Sequence, residues 1–291
     1  MISIIITAYK EANLIGKSIE AVLRNKLTNY EILVLAPDEE TLNIGRLYAS
    51  KNKNIHVIKD KGEGKPSALN LAFKLAKGEI LILTDGDVYI NNNAIPFMLK
   101  KFENQQTRAV TGRPISINNR KTMLGFWSHL LTDVADKRRK KAKEIKRRIF
   151  CSGYLYAFKR GLIDKIPAET LSEDGLISNM IYSKGYKIEY SPESKVYVKY
   201  PSTFSDWIKQ KKRSAGGYNQ IRMKIGKEIR SFKKESLGVL DVLNYPKNIK
   251  ELFYTFALII ARLYLWILIF IDINLRKKSF NKVWVRIEST K

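Results

Sequence analysis

Residues 1–90 alternate continuous apolar runs with stretches of helical spacing, and this alternation limits the possible fold more than any other feature of the sequence. The apolar runs are Ile2–Thr7, Glu31–Leu35, Ile55–Ile58 and Glu79–Thr84. The helical stretches between them are Ala12–Leu27, Leu42–Lys51 and Ser67–Lys77. Apolar, β-branched runs separated by helices are typical of a parallel sheet that is covered on both faces. The sequence therefore predicts an α/β fold with a mostly parallel sheet.

The pattern becomes mixed after residue 90. It predicts a helix from Ala94, a strand near Ala109–Gly112, an amphipathic helix over Leu124–Ala135 and a helix over Gly175–Ser183. The run Lys137–Arg148 holds nine basic residues and one acidic residue. This run is either a solvated helical face or a binding site for membrane or substrate phosphates, and the pattern favours neither.

An apolar segment of 22 residues, Leu252–Ile273, follows the predicted linker Asn244–Asn248 and is interrupted only by Arg262 and Asp272. Its length is enough to cross a bilayer, and a fully buried helix is the alternative. Arg262 and the six Lys and Arg residues that follow the segment disfavour crossing. We therefore expect the segment to lie in the membrane interface, or to dip in and return, with both ends on the cytoplasmic side.

The scarcity of soft metal ligands and the strong positive charge narrow the chemistry. One cysteine and two histidines exclude a disulfide scaffold, a cysteine cluster and a multi-histidine metal site. Any metal must therefore be a hard cation held by carboxylates. The formal net charge of +25 indicates a polyanionic partner, which is nucleic acid, nucleotide phosphates or an anionic membrane.

Polar residues cluster where the predicted parallel strands end, which is where ligands bind in sheets of this kind. These clusters are Thr7–Glu11, Ala36–Glu39, Lys59–Lys65 and Asp85–Asp87. In the last of them, two carboxylates flank a glycine and could hold a divalent cation, although aspartates are also common in ordinary turns. The sequence therefore predicts a nucleotide-type site at this edge of the sheet.

Three further motifs are weaker when each is taken alone. Glu173-Asp174 begins a predicted helix, where capping is an alternative explanation for the acids. Gly62–Asn70 combines glycines and Lys65 with a helix start, so it could lie beside a phosphate, but it lacks the P-loop pattern. Gln210-x-x-Arg213 could equally belong to a charged, exposed helix.

The order of these motifs resembles that of a known family. The order is T-A-Y-K-E (Thr7–Glu11), G-K-P-S-A-L-N (Gly64–Asn70), D-G-D (Asp85–Asp87), C-S-G…F-K-R (Cys151–Arg160), S-E-D (Ser172–Asp174) and Q-x-x-R (Gln210–Arg213). Over residues 1–215 the chain resembles the family 2 glycosyltransferases, in particular the branch with cellulose, chitin and hyaluronan synthases. The resemblance implies a GT-A fold, which is a Rossmann-like, mixed and mostly parallel sheet with helices on both faces, here followed by a C-terminal hydrophobic helix.

The resemblance also implies roles for individual residues. It implies that the nucleotide sugar is contacted by Thr7, Ala8, Tyr9, Glu11, Asp38, Lys65 and Asp85, and that Asp87 binds Mg²⁺ or Mn²⁺. It places the catalytic base at Asp174 with Glu173 beside it. It assigns the donor diphosphate and the acceptor end to Gln210 and Arg213, and the floor of the acceptor site to Gly153 and Phe158.

The implied activity is inverting transfer of a sugar from a nucleotide diphosphate sugar, with UDP favoured, to a hydroxyl of a glycan or lipid-linked glycan. Two departures from the family pattern bear on this. Ala36–Glu40 replaces the usual Asp-Asp-Gly-Ser, which weakens the assignment of the base pocket, and Ser214 replaces the tryptophan that usually follows Q-x-x-R. Because that tryptophan belongs to the acceptor channel of the synthases, we expect transfer of one or a few sugars rather than a long polymer.

The predicted organisation has three parts: a nucleotide-sugar-binding half at 1–90, an acceptor-binding and catalytic half at 91–235, and a membrane-associating part at 236–291. We expect the protein at the cell membrane, with its catalytic domain on the cytoplasmic face and in contact with anionic lipid. The alternative is a nucleic-acid-binding protein or nucleotidyltransferase. Since the run Lys137–Arg148 contains no aromatic residue, no nucleic-acid partner is expected.

Overall fold

The computed structural model describes residues 1–225, 239–272 and 287–290. The chain forms two compact units. The first unit comprises Met1–Ile115 and Arg139–Val198, and the second comprises Ser116–Arg138 and Lys199–Lys291. The division into functional parts at residues 90 and 235 stays a prediction.

The first unit is built on one sheet of eight strands with helices between them. The strands are β1 (Ile2–Thr7), β2 (Tyr30–Ala36), β3 (Ile55–Lys59), β4 (Ile80–Asp85), β5 (Tyr89–Ile90), β6 (Ala109–Ser116), β7 (Leu155–Lys159) and β8 (Ile188–Val198). The helices are α1 (Ile15–Leu23), α2 (Glu39–Ala49), α3 (Lys65–Leu75), α4 (Ala94–Phe102) and α6 (Glu173–Ser183), and α5 (Met123–Glu144) contains residues of both units. The strand order is β3-β2-β1-β4-β7-β6-β8-β5.

The predicted mixed, mostly parallel sheet is confirmed. β1 lies between β2 and β4 and is parallel to both, and β3 continues the parallel half. All six residues of β1 are buried, as a continuous apolar run in a sheet covered on both faces requires. On the other side of β4 the sheet becomes antiparallel through β7 and β6, which the hydrophobic pattern did not predict.

The helices begin and end a few residues away from the predicted bounds, for local reasons. α2 begins earlier than predicted because the Asp38 carboxylate caps it, accepting a hydrogen bond from the Thr41 N–H at 3.1 Å. α3 begins at Lys65, after Gly64 turns the chain with a φ of 96°, and Pro66 occupies its first turn. α1 is shorter than predicted, and Lys26 with a φ of 48° lies in the turn that follows it.

The second unit is helical in the described residues. Besides the start of α5, it contains α7 (Phe204–Ile225), α8 (Val239–Leu243), α9 (Ile249–Phe270) and a short 3₁₀ helix, Glu288–Thr290. Its core packs Phe126, Trp127, Leu130 and Val134 of α5 and Trp207 of α7 against Leu258, Ala261, Leu265 and Ile269 of α9. The basic run Lys137–Arg148 is helical as far as Glu144, where α5 ends.

The predicted apolar segment forms α9, which begins at Ile249 because the Asn248 side chain caps it. Ile273 lies outside the described residues. In the described part of the chain, α9 is the one helix that is long and apolar enough to cross a membrane by length and composition. Only 28% of its most apolar window is buried, so the alternative that this segment is a fully buried helix does not hold.

Tyr156 of β7 is a buried polar residue that the core does not satisfy. Its side chain is fully buried, and its hydroxyl has no hydrogen-bond partner among the described residues. A buried hydroxyl without a partner destabilises a protein by about 1–3 kcal/mol. Tyr182 provides a contrast, because its hydroxyl accepts from the Ile149 N–H at 2.7 Å and donates to the Ile149 carbonyl at 2.9 Å.

Replacing Tyr156→Phe removes only the unsatisfied hydroxyl, so we expect the free energy of unfolding to increase and the Tm to rise by roughly 2–4 °C. Tyr182→Phe removes a hydroxyl with two partners and should lower the Tm. Thermal unfolding of the two variants beside the wild type checks this. A lower Tm for Tyr156→Phe would show that the hydroxyl is satisfied in solution.

Candidate functional site

The end of β4 places the D-G-D motif against β1. Asp85 lies opposite Thr7 in the parallel register, and the Thr7 hydroxyl donates to Asp85 Oδ1 at 3.4 Å. The Gly86 N–H donates to the Thr7 carbonyl at 2.9 Å. A Cβ on Gly86 would lie 2.7 Å from the Ala8 Cβ, so a side chain at this position would clash. The glycine between the two aspartates is therefore required by the close approach of the first motif.

Lys65 joins two of the predicted site carboxylates. From the first residue of α3, its Nζ lies 2.6 Å from Asp85 Oδ1 and 2.7 Å from Glu173 Oε1. The Gly153 carbonyl is a further neighbour at 3.5 Å. Burial by itself would lower the pKa of Lys65, but the charges of Asp85 and Glu173 outweigh it and raise that pKa. Lys65 is therefore a permanent cation that holds motifs from distant parts of the sequence together.

Asp174 is oriented by the start of α6. Its Oδ1 accepts hydrogen bonds from the Ser172 hydroxyl at 2.7 Å and from the Gly175 N–H at 2.8 Å. Its Oδ2 is directed to Gly153, where a Cβ would approach it to 3.3 Å. Burial and the neighbouring charge of Glu173 raise the pKa of Asp174. A carboxylate with a raised pKa and a fixed orientation is suited to accept a proton.

The cluster carries a surplus of negative charge. It contains four carboxylates, Asp85, Asp87, Glu173 and Asp174, which act on one another electrostatically, and the cation of Lys65. Burial, opposed by Lys65 and reinforced by the charge of Asp87, raises the pKa of Asp85. Hard oxygen donors with excess negative charge suit Mg²⁺ or Mn²⁺. The described residues contain no group of three or more His, Cys, Asp or Glu that could hold a metal ion.

The segment Thr7–Glu11 leads away from the sheet edge beside this cluster. The Ala8 N–H donates to the Leu35 carbonyl, which continues the β1–β2 pairing by one residue. Tyr9 is 41% exposed, and the Lys10 Nζ lies 5.6 Å from its ring centroid. Glu11 is buried, and its N–H donates to Thr41 Oγ1 at 2.9 Å. An exposed ring at a strand end leaves a surface on which a flat base could stack.

Asp38 and Phe158 have structural roles in this structure. Besides capping α2, Asp38 accepts a hydrogen bond from the Lys10 N–H at 2.8 Å, and although burial opposes it, hydrogen bonds from Thr41 and Lys10 lower the pKa of Asp38. Phe158 is fully buried, with its ring 5.6 Å from that of Phe73 on α3. The predicted contacts of Asp38 with the base and of Phe158 with the acceptor stay predictions.

Gln210 and Arg213 lie on α7 in the second unit. They are three residues apart on a helix, so they lie on the same face, and both are half-buried. The carboxylate cluster belongs to the first unit. The predicted part of these two residues in holding the diphosphate stays a prediction.

Sequence reasoning assigned no role to two residues at the site. Ser172 was named only as part of the S-E-D motif, and its hydrogen bond to the Asp174 carboxylate could have been suggested only by its place before the acids. Tyr156 lies opposite Leu83 of β4, on the face of the sheet that also carries Asp85. Burial and the charges of Glu173, Asp174 and Asp85 raise the pKa of Tyr156, so its hydroxyl stays protonated beside the cluster. No sequence signal marks Tyr156, because β7 was not predicted.

Comparison with curated proteins finds relatives over most of the chain. Poly-beta-1,6-N-acetyl-D-glucosamine synthase of Staphylococcus aureus strain MSSA476 is 24% identical over 235 residues, which is 77% of this chain and 56% of that protein. The Staphylococcus epidermidis synthase is 25% identical over 248 residues, which is 82% of this chain and 60% of that protein. The chain thus spans less than two thirds of the length of these relatives.

Solved structures with a similar fold include S. aureus TarS 1-349 in complex with UDP-GlcNAc, with a TM-score of 0.54 and 15% identity over 86% of this chain and 69% of that one. TarS 1-349 without the ligand has a TM-score of 0.53 and 17% identity over 86% of this chain and 76% of that one. The family model described as "Glycosyltransferase like family 2" matches residues 1–217. The chain therefore belongs to glycosyltransferase family 2, and its fold is of the GT-A type.

Proposed function

We propose that this protein is an inverting glycosyltransferase that moves a sugar from a nucleotide diphosphate sugar to a hydroxyl of a glycan or lipid-linked glycan. The observation that carries the proposal is the double ion pair of Lys65. It joins Asp85 of the donor motif to Glu173, and Glu173 is the neighbour of Asp174. A site that holds a donor carboxylate and a proton acceptor together suits transfer between two bound substrates.

The reaction needs a base for the acceptor, and Asp174 is the residue proposed for it. As the acceptor oxygen forms a bond to the anomeric carbon, Asp174 takes the hydroxyl proton, and the bond from that carbon to the diphosphate breaks. Attack from the face opposite the leaving group inverts the anomeric centre. Ser172 and Gly175 hold the other carboxylate oxygen, so the base keeps its orientation.

The leaving diphosphate has to be neutralised as it departs. Arg213 and Gln210 are proposed to hold the diphosphate, and Asp87, with Asp85 beside it, would hold Mg²⁺ or Mn²⁺. The bound ion would stabilise the developing negative charge as a Lewis acid. Thr7, Ala8, Tyr9, Glu11 and Asp38 are the proposed contacts of the base and ribose.

Lys65 is proposed as a positioning residue. Without its charge, Asp85 and Glu173 would repel each other in a partly buried site, because their side chains are only 23% and 14% exposed. Lys65 also lies beside the Gly153 carbonyl, at the proposed acceptor side. The predicted contact of Lys65 with the nucleotide would add to this role, since a bound phosphate brings further negative charge.

UDP-N-acetylglucosamine is the donor that the comparisons favour. The TarS structure contains UDP-GlcNAc, and the curated relatives are named as synthases of poly-N-acetylglucosamine. Because Ser214 follows the Q-x-x-R motif in place of tryptophan, transfer of one or a few sugars is proposed rather than polymer synthesis. The proposed place of action is the cytoplasmic face of the cell membrane, where nucleotide sugars are available.

A screen of UDP- and GDP-sugars with Mg²⁺ or Mn²⁺, read out by the released nucleoside diphosphate, tests the proposal. We expect release from UDP-N-acetylglucosamine that increases when a glycan acceptor is added. If no nucleotide sugar releases its diphosphate, while the protein binds DNA with a strong dependence on salt, the nucleic-acid alternative is correct.

Asp87→Asn and Asp174→Asn separate the two proposed roles. Asp174→Asn removes the proposed base. It should lower kcat by about 10²–10⁴-fold and leave donor affinity unchanged, because Asp174 acts only on the acceptor. Loss of the Asp87 charge should weaken binding of the donor in the presence of the metal. Calorimetric titration with a UDP-sugar measures both affinities, and Asp164→Asn, whose side chain is 84% exposed, is the control. An equal loss of donor affinity in both variants contradicts the assignment.

Glu173→Gln tests how the pKa of the base is set. The negative charge of Glu173 raises the pKa of Asp174, so the neutral amide should lower that pKa and keep Asp174 ionised at lower pH. The acidic limb of the kcat/KM profile should therefore shift to lower pH. Glu39→Gln removes an exposed charge on α2 and should leave the limb in place. An unchanged acidic limb in Glu173→Gln would mean that Asp174 is not the group that limits the rate.

A further inference from the structure

In the described part of the chain, one face of α9 is apolar and largely exposed. Ile249, Phe253, Phe256, Ile260, Ile267 and Phe270 are between 52% and 87% exposed, and we call them the apolar stripe. Their spacing of three, four or seven residues places them on one side of the helix. A continuous row of large apolar side chains is unfavourable in water and indicates an interaction surface.

The opposite face of α9 is packed within the second unit from end to end. Leu258, Ala261, Leu265 and Ile269 are buried in the core of the unit. At the N-terminal end, Glu251 pairs with Arg120 at 3.2 Å, and at the other end Asp272 pairs with Lys212 of α7. These two contacts are about 31 Å apart along the helix, so α9 is held to the second unit over a length comparable to the thickness of the hydrocarbon layer.

This packing opposes a crossing of the bilayer by α9 alone. Trp207, which packs in the same core, lies next to Asp206, and Asp206 pairs with Lys209 at 3.0 Å. If α9 crossed the membrane, the parts of α5 and α7 that pack on it, with their charged residues, would have to follow it, or the core would have to separate. Either outcome is costly, because charged groups are excluded from the bilayer interior. Lipid would therefore meet α9 along its exposed side.

Positive charge lies at the N-terminal end of the apolar stripe. Lys121, Lys247 and Lys250 are exposed there. The Lys250 Nζ lies 5.7 Å from the ring centroid of Tyr254, and the Tyr254 hydroxyl donates to the Lys121 carbonyl at 3.4 Å. Lysines beside an apolar surface favour anionic lipid headgroups over neutral ones.

We propose that the apolar stripe of α9 docks side-on on the surface of an anionic lipid bilayer, so that the helix lies in the membrane plane with its opposite face on the second unit. The sequence left open whether this segment lies in the interface or dips in and returns, and the packing of both ends of α9 favours the first. The inference does not depend on the proposed glycosyl transfer, since it concerns residues of the second unit alone.

Flotation of the full-length protein with vesicles tests the docking. Phosphatidylcholine vesicles with phosphatidylserine should carry the protein, and vesicles of phosphatidylcholine alone should carry much less. Phe253→Glu with Ile260→Glu should lower the floated fraction about tenfold or more. The control is Leu47→Glu on α2. Leu47 is 61% exposed, similar to Ile260 at 67%, but it lies outside the apolar stripe. Unchanged Tm values in both variants establish that the fold is retained, and Phe256→Gln serves as a milder second variant.

The orientation is tested by labelling cysteines with an impermeant maleimide after the protein has bound to sealed vesicles from outside. In a Cys151→Ser background, Asn244→Cys and Ser289→Cys should both react without detergent. Labelling of only one of them until detergent is added would show that α9 crosses, and the proposal would be wrong.

Equal flotation on both kinds of vesicle would refute the anionic partner. Loss of a dimer in the stripe variant, with flotation unchanged, would assign the stripe to a second copy of the chain.

Discussion

The ion pairs of Lys65 are the interaction on which the site depends. Asp85 and Glu173 are far apart in sequence, both are largely buried, and each would be costly to hold as an anion without a cation nearby. Lys65 supplies that cation from the first turn of α3, directly after Gly64. Because one ammonium group contacts both carboxylates, it links the D-G-D and S-E-D motifs directly. The negative charge that remains is the charge that the proposed metal ion and substrate would meet.

The backbone around this cluster is built for close approach. Gly86 allows the D-G-D loop to touch Ala8, and Gly153 leaves room for the Asp174 carboxylate. The same edge of the sheet collects the polar ends of β1 and β4, because parallel strands direct their carboxyl ends to one side. The fold thus brings the groups together, and the ion pairs and hydrogen bonds fix their orientation. The chemistry proposed for this site depends on both the fold and these contacts.

The second unit meets a different physical demand. It has to bury one face of an apolar helix in a small aromatic core and leave the other face exposed. An apolar stripe beside exposed lysines matches the surface of an anionic bilayer, and the charge of the whole chain, +25, has the same preference. An enzyme acting on a lipid-linked acceptor would gain from such a surface, because it would keep the protein where its substrate is. The two proposals are independent and compatible.

The sequence by itself determined the parallel half of the sheet, because continuous apolar runs such as Ile2–Thr7 and Glu79–Thr84 can be satisfied only by burial on both faces. It also indicated the residues of the site, since D-G-D and S-E-D stand at a strand end and a helix start. Tertiary structure alone decided that β7 enters the sheet antiparallel beside β4 and places Tyr156 near the carboxylates, because strand pairing is a long-range choice. It also gave Lys65 its two partners and exposed one face of α9, since neither an ion pair between distant segments nor the covered side of a mostly apolar helix is encoded in local spacing.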